Sequence, residues 1–122
     1  MASETGNAVL KLKAQVLVGD TIALGPGKAA LLEAIDREGS IAAAGRSLGL
    51  SYRRTRDMID VLNASWQAPL VYTVKGGQRG GGTSLTPRGL LVLERYRALE
   101  AVLEDAASRY REDLLALATT PT

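Results

Sequence analysis

Two glycine–serine punctuation points about ten residues apart constrain this chain more than any other feature. Gly39-Ser40 and Gly49-Leu50-Ser51 cut the stretch 28–64 into three short helical segments. Glycine ends a helix because it enters the left-handed region at no steric cost. Serine begins one because its hydroxyl accepts a bond from a free first-turn N–H. The first segment, Lys28 to Glu38, carries Leu31, Leu32 and Ile35 on its apolar face. The second, Ile41 to Leu48, is rich in alanine, and Ala42, Ala43 and Ala44 let it approach a neighbour closely. The third runs from Ser51 to about Ala64. On it Thr55, Met58, Ile59 and Leu62 fall on one side, leaving Tyr52, Arg53, Arg56 and Asp60 pointing away. Two short helices joined by a glycine-bearing turn form a helix-turn-helix layout. Arginines and a tyrosine on the outward face of its second helix suit a reader of the DNA major groove. An ordinary solvated face is the plainer reading of such a helix taken alone, and its place in the pair tips the balance.

The flanks complete the architecture. Val9 to Val18 alternates apolar Leu10, Leu12, Ala14 and Val16 with Lys11, Lys13 and Gln15, which is strand periodicity. A turn at Gly19-Asp20 leads to a second short strand, Thr21 to Leu24, so an N-terminal β-hairpin is expected over 8–24. After the third helix, a β-branched run from Leu70 to Val74 and the segment Thr83 to Leu85 enclose a basic loop with five glycines between Gly76 and Gly82. Strand, glycine-rich loop, strand is a hairpin spanning 70–85, and it forms a wing beside the helix pair. Lys75, Gln78 and Arg79 are the side chains it offers to phosphates. Thr86-Pro87 then opens a long helix, expected over 86–118. Val92, Tyr96, Leu99, Leu103, Ala106, Tyr110, Leu114 and Leu117 recur along it mostly by threes and fours, a seam suited to a partner helix. One domain of 122 residues is too small to cover such a helix along its whole length, so a second copy is the expected cover. The fold class is therefore mainly α with small β-hairpins: a single winged helix-turn-helix domain over 1–122 with a long C-terminal dimerisation helix.

Charge agrees with this reading. The formal net charge is only +2, yet the stretch from Arg46 to Arg88 carries +5 and the remainder −3. A basic middle on a near-neutral chain is what a face meeting a polyanion requires. Catalysis has no support. With neither cysteine nor histidine, the chain lacks the commonest metal ligands and the commonest general base. Gly25-Pro26-Gly27-Lys28 superficially matches a phosphate loop, but Ile22 stands where glycine is needed and Ala29 where a hydroxyl would hold Mg²⁺. Glu33, Asp36 and Glu38 are acidic neighbours on one helix and read as solvation. No catalytic residue, metal site or cofactor is expected. No apolar run reaches membrane-spanning length, and Met1 to Asn7 is unlike a signal peptide. A cysteine-free chain suits the cytoplasm.

Between Lys28 and Arg97 these motifs form a known combination. Gly39-Ser40-Ile41, Gly49-Leu50-Ser51-Tyr52, Asp57 with Ile59, Leu62-Asn63, the glycine-rich run from Gly76 to Gly82, and Leu85-Thr86 with Gly89 resemble the N-terminal domain of the ModE molybdate-responsive transcription regulators. A looser likeness extends to the DNA-binding domain of LysR-type regulators, which share the final Leu-Thr-x-x-Gly. The resemblance implies a winged-helix dimer acting as repressor or activator at a palindromic operator. Full-length members also carry C-terminal oxyanion-binding domains of the molbindin type. This chain of 122 residues has no room for one, so molybdate binding by it is not expected. It reads either as a fragment or as a short member that senses nothing by itself.

The expected mechanism places the third helix of each of two chains in a major groove of double-stranded DNA. Ser51 opens that helix. Tyr52, Arg53 and Arg56 reach base edges, Arg54 reaches bases or phosphate, and Lys75, Gln78 and Arg79 meet backbone or minor groove from the wing. Ser40 and Arg46 hold flanking phosphates. The N-terminal hairpins and the seam of Val92, Tyr96, Leu99, Leu103, Ala106 and Tyr110 make the homodimer. The alternative is a protein-interaction module that keeps the fold and leaves the basic face idle.

Overall fold

The structure, a computed structural model, describes residues 8–75 and 82–118. In chain order it contains β1 (Val16–Val18), β2 (Thr21–Leu24), α1 (Pro26–Glu38), α2 (Ile41–Ser47), α3 (Tyr52–Ala64), β3 (Val71–Val74), β4 (Gly82–Leu85) and α4 (Pro87–Leu117). The two hairpins are separate antiparallel sheets, β1 with β2 and β3 with β4. Helical boundaries follow the local chemistry. Gly39 and Gly49 adopt φ of 77° and 72°, the left-handed conformation that only glycine enters freely. The Ser40, Ser51 and Thr86 hydroxyls each accept from a backbone N–H three residues on.

The N-terminal hairpin is shorter than its sequence pattern suggests. It spans 16–24 rather than 8–24, and residues 8–15 are not strand. The cause lies in the partner: β2 pairs Leu24 with Val16, and the chain then enters α1 through Gly25 and Pro26. No backbone remains opposite residues 8–15 to continue the ladder, so alternation alone does not make them strand.

The core is built where α1, α3 and the wing meet. Leu31, Leu32 and Ile35 from α1 pack with Met58, Ile59 and Leu62 from α3, with Ile41 and Ala44 of α2 closing one side. Leu24, Leu70, Val71 and Leu85 complete the cluster from the hairpins. Each large side chain fully removed from water there contributes about 1.5–3 kcal/mol before entropy is counted.

Helix α4 joins this body by its first half. Gly89 passes so close to Leu70 that a Cβ there would collide with the Leu70 carbonyl. Tyr96, 3% exposed, lies in the core with its hydroxyl donating to the Ala14 carbonyl at 2.9 Å. Arg97 forms a two-pronged ion pair with Glu33 of α1, at 2.7 and 2.8 Å. Beyond these contacts Leu99, Val102, Tyr110, Leu114 and Leu117 are all exposed. The expected seam therefore needs correction at Tyr96. That side chain is spent on the chain's own core and cannot face a partner, and Val92 is half-buried against the same core.

Candidate nucleic-acid interface

Helix α3 has two chemically distinct sides. Thr55, Met58, Ile59 and Leu62 are buried, which fixes the helix's rotation about its axis. Tyr52, Arg53, Arg54 and Arg56 are consequently turned to solvent, Tyr52 with 58% of its surface free. The turn into α3 is pinned by the Leu50 N–H, which donates to the Gly45 carbonyl at 2.8 Å, and by the Thr55 hydroxyl, which donates to the Ser51 carbonyl at 2.7 Å. Gly45 and Ala44 are the buried small residues of α2, whereas Ala42 is exposed and Ala43 half-buried. A Cβ at Gly45 would collide with the Thr55 hydroxyl, so glycine is what lets α2 cross α3 this closely.

Of the other expected contacts, Arg46 in the last turn of α2 and Lys75 just after β3 are exposed. Ser40 and Ser51 have their oxygens engaged as helix caps. Gln78 and Arg79 lie outside the described residues. The wing and α3 are held together by Asn63, near the end of that helix. Its side-chain oxygen accepts from the Leu70 and Val71 N–H groups, both at 2.9 Å, and its amide donates to the Val71 carbonyl at 3.1 Å. On the far side, the Thr83 N–H donates to the Gly39 carbonyl at 2.9 Å, tying β4 to the end of α1.

Sequence reasoning leaves Lys28 out of the basic face because it precedes the stretch from Arg46 to Arg88. It stands in the first turn of α1, close enough to Arg54 to feel its charge. Partial burial of its ammonium, then repulsion from Arg54, hold its pKa below the ordinary lysine value. The available signal was a lysine in a helical first turn that has no acid. The role of Asn63 had no signal beyond its place in the resemblance, since a three-bond clamp depends on where the wing returns in space.

The bacterial regulatory helix-turn-helix proteins of the lysR family have a family model that matches residues 28–90, from the first turn of α1 into the start of α4. The chain belongs to this family. Within it, the chain is similar to the molybdenum transport protein ModE of Azotobacter vinelandii, with 46% identity over 92 residues, 75% of this chain and 34% of that protein. It is 41% identical over 91 residues to the molybdenum-pterin-binding protein MopB of Rhodobacter capsulatus, covering 75% of this chain and 34% of that one. The DNA-binding transcriptional dual regulator ModE of Escherichia coli K12 shares 31% over 88 residues, 72% of this chain and 34% of its own length. The chain thus spans about a third of the length of these curated relatives. The lysR-family match covers both helices of the helix-turn-helix and both strands of the wing. Among the described residues, no helix is long and apolar enough to cross a membrane.

Proposed function

We propose that this protein is a sequence-specific transcriptional regulator of the ModE type that binds a palindromic site on double-stranded DNA as a homodimer in the cytoplasm. The observation that carries this reading is the outward face of α3. Tyr52, Arg53 and Arg56 are exposed on a helix whose opposite face is locked into the core behind α2. Arginine forks match the paired acceptors of guanine in the major groove, so Arg53 and Arg56 read bases, with Tyr52 beside them. Arg54 and Lys28 lie close together near the start of α3 and neutralise phosphate. Arg46, Ser40 and the Ser51 end of α3 hold flanking backbone, and Lys75, Gln78 and Arg79 extend the contact from the wing.

Likeness to ModE and MopB proteins supports a regulated process connected with molybdenum. Two-fold pairing of the chain presents two copies of α3 to successive major grooves on one side of the duplex. Selection from random duplexes tests the whole reading at once. The expected result is a two-fold symmetric consensus with half-sites about 10 base pairs apart, or a multiple of that, centre to centre. A non-symmetric consensus, or no enrichment at all, overturns it.

A further inference from the structure

Two exposed side chains of α3 take no part in the contacts described so far. Asp57 and Asp60 follow the arginines Arg53, Arg54 and Arg56, so the helix carries its cations in the first half and its anions in the second. At about 100° per residue, Arg53, Arg56, Asp57 and Asp60 all project within about 50° of one direction. That direction is roughly opposite the buried Thr55, Met58, Ile59 and Leu62. Arg54 falls about 110° to one side. The spacing of the four, i, i+3, i+4 and i+7, is that by which one helix lying in a major groove presents side chains to successive base edges.

Neither carboxylate helps the helix. Aspartate is a poor helix former, and acids favour a helix in its first turn, where α3 has none. Arg53 with Asp57 and Arg56 with Asp60 are spaced i, i+4, but in the weaker order, with the acid toward the C-terminus. Among the described residues, ion pairs form elsewhere, at Arg37–Glu38, Arg97–Glu33, Arg97–Glu100 and Arg111–Glu104. An ionised carboxylate only accepts hydrogen bonds. In the major groove guanine and thymine offer it acceptors, and adenine sets an acceptor beside its amino group. Cytosine offers an amino donor with no acceptor next to it.

We infer that Asp57 and Asp60 are specificity-determining residues that accept hydrogen bonds from cytosine amino groups in the major groove, beside the guanine met by Arg53 and Arg56. Each aspartate stands four residues beyond one of these arginines. That is roughly 6 Å along the helix axis, or about two base-pair steps. The same carboxylates act against wrong sequences, because a guanine or thymine in place of the cytosine sets acceptor against acceptor. This rests on the placement of α3 in a major groove proposed above and adds what the second half of its outward face recognises.

The test runs selection from random duplexes in parallel on the full chain, on Asp57→Asn and on Asp60→Asn. Asparagine keeps the size of aspartate, removes its charge and pairs with both the amino group and N7 of adenine. Both positions are exposed, and thermal melts followed by circular dichroism check that the fold is kept. The parent consensus is expected to hold a cytosine within about two base pairs of a guanine in each half-site. Each variant exchanges cytosine for adenine at one position per half-site. Titration against the paired duplexes shows a preference for cytosine of about tenfold in the parent, lost or reversed in the variant. Arg53→Ala relaxes the guanine position and leaves the cytosine in place. A variant that returns the parent consensus at every position, even if it binds all duplexes more tightly, overturns the inference while leaving the proposed function standing. No enrichment by the parent chain removes the proposed function and this inference with it.

Discussion

A methyl group added at Gly45 would meet the Thr55 hydroxyl, and that hydroxyl donates to the Ser51 carbonyl at the start of α3. The crossing of α2 and α3 is thus set by one missing side chain. Gly45→Ala is expected to destabilise the fold by about 1–3 kcal/mol, as overpacking does. Thr55→Ala removes the oxygen the new methyl would meet, so Gly45→Ala should cost less in that background, which a double-mutant cycle of urea midpoints measures. On the outward face the expectations concern binding and leave stability aside. Arg53→Ala or Arg56→Ala should each cost about 1–3 kcal/mol of operator affinity and relax the consensus at one position per half-site, read by titration against single-base variants. Unchanged binding by both would remove α3 from the interface.

Among the elements, the wing depends on Asn63. Asn63→Ala breaks three bonds and leaves the Leu70 and Val71 N–H groups short of an acceptor. A loss of about 1–3 kcal/mol is expected, with hydrogen exchange rising first in β3. Lys75→Ala should instead leave stability alone, weaken all DNA sequences alike and flatten the salt dependence of binding by roughly one unit of slope. Element boundaries were legible wherever the signal was local: Gly39, Ser40, Gly49, Ser51 and Thr86 each act on the backbone within four residues. Sidedness was legible on α3 for the same reason. What failed needed knowledge of a distant partner. Alternation at 9–15 says which way side chains point and nothing about whether β2 extends far enough to pair. Spacing put Tyr96 in a seam, but a helix that is apolar on more than one side does not declare which stripe meets its own core. The Gly45–Thr55 contact and the Asn63 clamp form only once the elements are assembled, so no window of sequence shows them.

Across the whole molecule, the Glu33–Arg97 pair fastens α1 to α4 and so ties the helix-turn-helix body to the long helix. The hydrogen bonds from Arg97 hold the Glu33 carboxyl below its ordinary pKa. A depressed carboxylate pKa means stability that is present above the unfolded-state value and lost as pH falls through the folded one. Glu33→Gln should therefore lower stability near neutral pH by about 0.5–1 kcal/mol, a figure held down by the solvent around a half-exposed pair. Variant and parent should converge as the pH falls below the ordinary carboxylate range and on through the lowered Glu33 value, as followed by urea denaturation at each pH. The Asn63 clamp has a consequence of another kind. In the proposed complex, the Asn63 hydrogen bonds hold the base of β3 against the end of α3, so the spacing between the helix placed in the major groove and the base of the wing is set by the protein. Any mismatch in groove width must then be absorbed by the duplex. The proposed complex therefore predicts selection at base pairs that touch no side chain, by how readily they twist or narrow to that gauge, which the same random-duplex selection would read.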